Sequence, residues 1–200
     1  MKSLTVKMLF TSVLFTLPSL AHAEINHAEV KVPSQDIVEA RALIKAFGGD
    51  LKHALTTAMK SDGPIKALTV CNVEAAPIAQ KNSALSSWKI ARTAIKVRNE
   101  NNAPDAWEAT VLRQFEARKT AGEDIKTMEY AEVIQEGEQL TYRYMKPIAT
   151  AGLCLTCHGT QVDEAVTTKV RALYPNDQAT GFTLGDIRGA FTLKKQLNKE

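Results

Sequence analysis

The chain predicts an α+β fold in a single domain. Three observations carry this: a long amphipathic helical pattern near the N-terminus, several β-like runs after it, and no internal repeat or low-complexity linker between them. Ile37, Ala40, Ile44, Phe47, Leu51, Ala54, Leu55 and Met59 recur at helical spacing, which marks one helix over 36–60. Ser34 stands where a cap belongs, and Gly48-Gly49 is a point where the helix is expected to bend or break. Ser61-Asp62-Gly63-Pro64 stops this helix and starts another. Pro64 suits a first turn, because its missing N–H would have no helical partner there. Leu68, Cys71, Ala75 and Ile78 share a face of the second helix, and Pro77 is expected to kink it or begin a new turn.

The β-like runs begin at Trp88–Val97, which carries Ile90, Ala94 and Ile95, and a loop follows from Asn99 to Pro104. Asp105 caps a helix to about Arg118, buried along Trp107, Val111, Leu112 and Phe115. Met128–Gln135 and Gln139–Ile148 form a hairpin closed by Glu136-Gly137-Glu138. A short helix from Asp163 to about Leu173, a turn-rich stretch from Tyr174 to Gly185 and a final strand Ala190–Leu193 complete the chain.

The first residues read as an export signal. Lys2 and Lys7 precede an apolar run, Met8–Leu20, and Ala21-His22-Ala23 supplies a small-x-small cleavage pattern. Cleavage after Ala23 would leave one domain over 24–200 in the periplasm. A retained membrane anchor is the competing reading, but the run is short for a bilayer and ends in the cleavage pattern. Nothing later has the ~18 consecutive apolar residues of a membrane span. Lys2 and Lys7 carry two of the formal +3 charges, so the mature chain stands at +1. A nearly neutral surface without a basic cluster excludes nucleic acid as an expected partner, despite a pI of 8.7. Three cysteines in an exported chain leave one without a mate, which requires an explanation.

Cys154-Leu155-Thr156-Cys157-His158 fits the attachment pattern of c-type haem. Two thiols add across the porphyrin vinyl groups, the two intervening residues set their distance, and the adjacent imidazole lies under the iron. A thioredoxin-like pair would want a βαβ setting and has no use for the histidine. A zinc site would want a fourth ligand and a second paired motif. Attachment of c-type haem takes place outside the cytoplasm, so the export signal favours one covalent haem c. For the sixth iron ligand, Met145, Met128, Met59 and His53 are candidates, although a lone methionine on an apolar face is usually core. Cys71 is another. It is either an inert buried thiol or a ligand whose thiolate the metal protects during export.

Further residues carry a resemblance: Cys71-Asn72-x-x-Ala75-Ala76-Pro77-Ile78-Ala79, Arg98-Asn99, Asn102-x-Pro104, Tyr144-x-Lys146-Pro147-Ile148, Cys154-Leu155-x-Cys157-His158-Gly159, Tyr174-Pro175-x-Asp177 and Gly185-Asp186-x-Arg188-Gly189-Ala190. In this order the chain resembles a family of single-haem c-type domains known from a cyanobacterial haem protein and from bacterial signalling proteins. The resemblance spans about 36–193. It implies a PAS-like fold, an antiparallel sheet flanked by helices with the haem held against it, and iron ligated by His158 and Cys71. An anionic thiolate would favour ferric iron and a low reduction potential. Arg98 and Asn99, at the start of the loop after the first strand, are candidates to hold a haem propionate; Arg143 and Lys146 are weaker ones.

Three functions compete at this stage. A redox or haem-based sensor would need a signalling partner, because the chain has no output domain. A soluble electron carrier would need a redox partner, although the near-neutral charge offers no steering patch. A haem enzyme, such as a peroxidase or a sulfur-compound oxidoreductase, would need an open iron site and an acid/base constellation that the sequence does not single out.

Overall fold

The structure, a computed structural model, describes residues 34–197; the expected export signal lies outside them. The chain runs α1 (Ser34–Ser83), β1 (Lys89–Thr93), α2 (Ala106–Thr120), β2 (Tyr130–Glu136), β3 (Gln139–Ala149), α3 (Gly152–His158), α4 (Glu164–Leu173) and β4 (Ile187–Leu197), with a 3-10 turn at Glu100–Asn102. The strands make one antiparallel sheet in the order β1-β4-β3-β2. This is the expected α+β class with its long N-terminal helix.

α1 is two helical arms. Non-helical dihedrals occur at Asp62 and Gly63 (φ 74°), where the left-handed backbone favours glycine, and Pro64 opens the second arm. The expected interruption at Gly48-Gly49 does not occur. A Cβ on Gly48 would stand 3.1 Å from the Phe191 ring, so this glycine lets α1 lie close on the sheet. Pro77 also sits within the second arm without non-helical dihedrals.

β4 runs from 187 to 197, well beyond the expected Ala190–Leu193, because it is flanked on both sides by β1 and β3. Its charged end is neutralised by flanking helices: Lys194 bonds Asp105 and Lys195 bonds Asp36. β1 is shorter than expected and ends at Thr93, after which Ala94 N–H donates to Asn102 O. Pro147 lies in β3 beyond Met145, the last residue paired with β2, so one side of the strand is open there.

Strand alternation divides the core between two faces. Tyr142, Tyr144, Ile90 and Leu193 pack beneath α1 with Ala40, Leu43, Ile44 and Phe47. Met145, Ala190 and Ile187 pack on the other face beneath Val111, Leu112 and Phe115 of α2. α4 joins the second arm of α1 through Leu68, Val166 and Val170.

Candidate haem site

The motif cysteines and histidine lie on α3, a single short helix directly after β3. Gly159 ends it. A Cβ there would approach Leu155 O to 2.6 Å, so a larger residue would push the chain off its course. The segment after the motif is then laced back to it: Gly181 N–H donates to Gly159 O and Phe182 N–H to His158 O. Phe182 stands edge-on to the His158 ring.

His158 Nδ1 is 2.6 Å from Ala179 O. A carbonyl only accepts, so that nitrogen carries the proton and Nε2 keeps a free lone pair. This is the arrangement by which a metal-binding imidazole is usually oriented. Arg188 Nε, also a donor, lies 3.3 Å from the same Nδ1 and would call on a lone pair there; the shorter bond to Ala179 O decides the tautomer. Burial, followed by the positive charges of Arg188 and Arg98, lowers the His158 pKa to about 3. The ring is therefore neutral at physiological pH, the state required of a ligand.

Beside α3 lies a cavity of about 490 Å³, within the range of small-molecule and cofactor sites. Cys154, Cys157 and His158 line it from α3, and Cys71 lines it from the second arm of α1. Ala75, Ala76 and Ala79 keep that helical wall low. All three cysteines are free and half-buried. Burial raises the Cys71 thiol pKa, while Arg92 and then Arg98 oppose the rise. Burial likewise raises that of Cys157. No three His, Cys, Asp or Glu side chains among the described residues are gathered so as to hold a metal ion, and the motif leads into no parallel βαβ unit, so neither the zinc nor the thioredoxin-like reading gains support.

The other proposed ligands separate cleanly. Met128 and Met145 are fully buried beneath α2, on the opposite face of the sheet. His53 is exposed and does not line the cavity. Met59 does line it, with Cys71.

Arg98 and Asn99 both reach the cavity wall, but each is already engaged. Arg98 Nε and Nη2 bond the two oxygens of Asp177 at 3.0 and 3.1 Å, and Nη2 also donates to Cys157 O (2.6 Å) and Ala179 O (3.3 Å). Its side chain is 9% exposed. Arg98 thus clamps the loop after β1 to the motif and to the turn that orients His158. Asn99 caps the 3-10 turn, accepting from Asn101 N–H. The weaker candidates lie away from the cavity: Arg143 is buried against Glu108, and Lys146 donates to Lys126 O and Met128 O.

Two arginines to which the sequence assigned no role line the cavity as well: Arg92, and Arg188 of the Gly185–Ala190 motif. Arg188 donates to Lys96 O, and burial lowers its pKa to about 10. The sequence signal for Arg92 was a charge two residues from Ile90 in a strand, which places both on one face.

These features define an α+β domain with a four-stranded antiparallel sheet, in which a Cys-x-x-Cys-His helix opens onto a cavity between helix and sheet. The chain belongs to the Tll0287-like family, whose pattern matches residues 21–195. Among solved structures it is similar to the crystal structure of the cyanobacterial heme-protein Tll0287, with a TM-score of 0.62 and 23% identity over 84% of this chain and 99% of that one. At that identity the likeness speaks for the fold. No curated protein matches the chain.

Proposed function

We propose that this is an exported protein carrying one covalent haem c, bound through Cys154 and Cys157, with His158 and Cys71 as iron ligands, and acting in redox sensing or electron transfer. One observation carries the reading: two thiols and a neutral, correctly oriented imidazole on a single helical turn face a cavity of cofactor size, with a third thiol in its wall. The similar cyanobacterial structure is described as that of a heme-protein, which supports the same cofactor.

Each residue has a defined task in this reading. Cys154 and Cys157 tether the macrocycle. Ala179 O holds the proton on His158 Nδ1, so that Nε2 is the donor atom. Arg98 and Asp177 keep the motif and the Ala179 turn in register. Phe47, Leu55 and Leu68 of α1 exclude water from the cavity's apolar wall. Bound haem would supply a one-electron couple. If His158 and Cys71 both hold the iron, the exchange of electrons with a redox or signalling partner protein fits better than turnover of a substrate at the metal.

Production in a host that matures c-type cytochromes tests this. Denatured protein should retain haem and the mass of the cofactor. Ferric wild type should give a low-spin thiolate signal in electron paramagnetic resonance that is lost in Cys71→Ser. A colourless product would end the proposal. A redox titration under carbon monoxide then separates its two forms: a low potential with no adduct marks a carrier, and ligand loss with gas binding on reduction marks a sensor.

A further inference from the structure

The haem cavity holds an unanswered charge. Its ionisable lining consists of three arginines, three cysteines, one histidine and one tyrosine, with no carboxylate. Arg98 is answered from outside by Asp177, and Arg188 rests on Lys96 O beside the His158 ring. Arg92 has neither: among the described residues no carboxylate lies within ion-pair distance of it. Register shows where it lies. Arg92 pairs with Phe191, and Ile90 on the same side pairs with Leu193. Phe191 stacks edge-on against Phe47 of α1, so Arg92 lies on the face of the sheet that α1 covers. Cys71 is on α1 and lines the same cavity. A guanidinium stays protonated, so a half-buried one calls for a nearby anion.

We propose that Arg92 is the counter-ion of the Cys71 thiolate and holds the reduction potential of the site up against that ligand. The inference rests on the haem reading above and adds to it a residue that acts through Cys71. Burial lowers the Arg92 pKa, and Cys71 and then Tyr174 oppose this. Reduction of iron ligated by a thiolate adds one negative charge to the site. Paired with the sulfur, a fixed cation withdraws part of the charge by which the thiolate favours ferric iron, so it raises the potential through Cys71. Arg92 is thus a positioning residue for charge.

The test is a redox titration of the haem-loaded wild type, Arg92→Gln and Arg92→Lys, each repeated in a Cys71→Ser background. Arg92→Gln should shift the ferric/ferrous equilibrium about tenfold toward ferric, about 59 mV lower for a one-electron couple. Arg92→Lys should stay near wild type, and the Cys71→Ser background should remove most of the shift. A persistent low-spin ferric signal in Arg92→Gln shows that coordination is intact; Arg92→Met serves in its place if that variant does not accumulate. An unmoved potential overturns the proposal. An equal shift in both backgrounds also overturns it, because the cation would then be answering the haem carboxylates. Wild type without covalent haem yields no couple at all, and this distinct outcome sinks the haem reading and the inference with it.

Discussion

The two faces of the sheet treat buried arginine in opposite ways. Beneath α2, Arg143 is 1% exposed and surrounded by acid: Asp105 at 2.7 Å, Glu108 at 3.0 Å and Glu136 at 3.4 Å. Its guanidinium also lies 4.3 Å from the centre of the Trp107 ring. Glu108 receives Thr192 Oγ1 and closes the capping box of α2 with Asp105. Beneath α1 and beside α3, Arg92 and Arg188 border a cavity with no carboxylate in its lining. The contrast is instructive. A structural arginine is compensated by the fold that buries it, because an uncompensated buried charge costs several kcal/mol. At the cavity, Arg92 is left without such a carboxylate among the described residues.

The comparison can be broken in several ways. The largest expected effect is on the cavity side: replacing both Cys154 and Cys157 with Ala should abolish covalent haem, as read by haem staining of a denaturing gel, with the fold intact by circular dichroism. Glu108→Ala should do the reverse. It removes the buried carboxylate among the three that answer Arg143 and one half of the α2 capping box, so a loss of about 3 kcal/mol is expected in denaturant unfolding. The haem spectrum and potential should stay where they were; a moved potential would mean that the two faces are coupled.

Methionines sharpen the same division. Met145→Ala, beneath α2, should cost about 2–5 kcal/mol through the cavity it leaves, with an unchanged ferric spectrum. Met59→Leu, in the haem cavity, should cost less than about 1.5 kcal/mol. If Met59→Leu, rather than Cys71→Ser, removed the low-spin signal, the ligand would be reassigned to Met59.

The smallest effect concerns pH. The bond from Lys119, followed by those from Thr183, holds the Asp186 carboxyl at about 2, below its ordinary 3.8. A folded-state pKa that is depressed contributes stability above pH 4, and this is lost as pH falls from about 4 to about 2. The pair is one-third exposed, so its worth is below about 1 kcal/mol. Asp186→Asn should flatten the stability profile in that window, measured as the urea midpoint against pH, without changing the haem spectrum.

Much of this architecture was legible in the chain. The spacing from Ile37 to Met59, the Asp105 cap and the turn at Glu136-Gly137-Glu138 are local signals, and each corresponds to an element of the structure. The misread stretches needed distant partners. Gly48 lies in an unbroken helix packed close on Phe191, and β4 extends past Leu193 because β3 pairs with it as far as Leu197. Arg98 lines the cavity, and its engagement with Asp177 spans 79 positions of sequence and leaves no local trace.

What the sequence by itself determined is the chemistry available: the Cys-x-x-Cys-His spacing, a third cysteine, and helices and strands with their apolar faces. These follow from neighbours a few residues apart, where covalent geometry and periodicity act directly. Only the tertiary structure decided which groups share the cavity. It put Met128 and Met145 behind the sheet, brought Cys71 and Met59 to its front, and left Arg92 there without a carboxylate. Those outcomes depend on long-range packing and strand register, because a charge or a thiol acquires its surroundings only when the chain closes on itself.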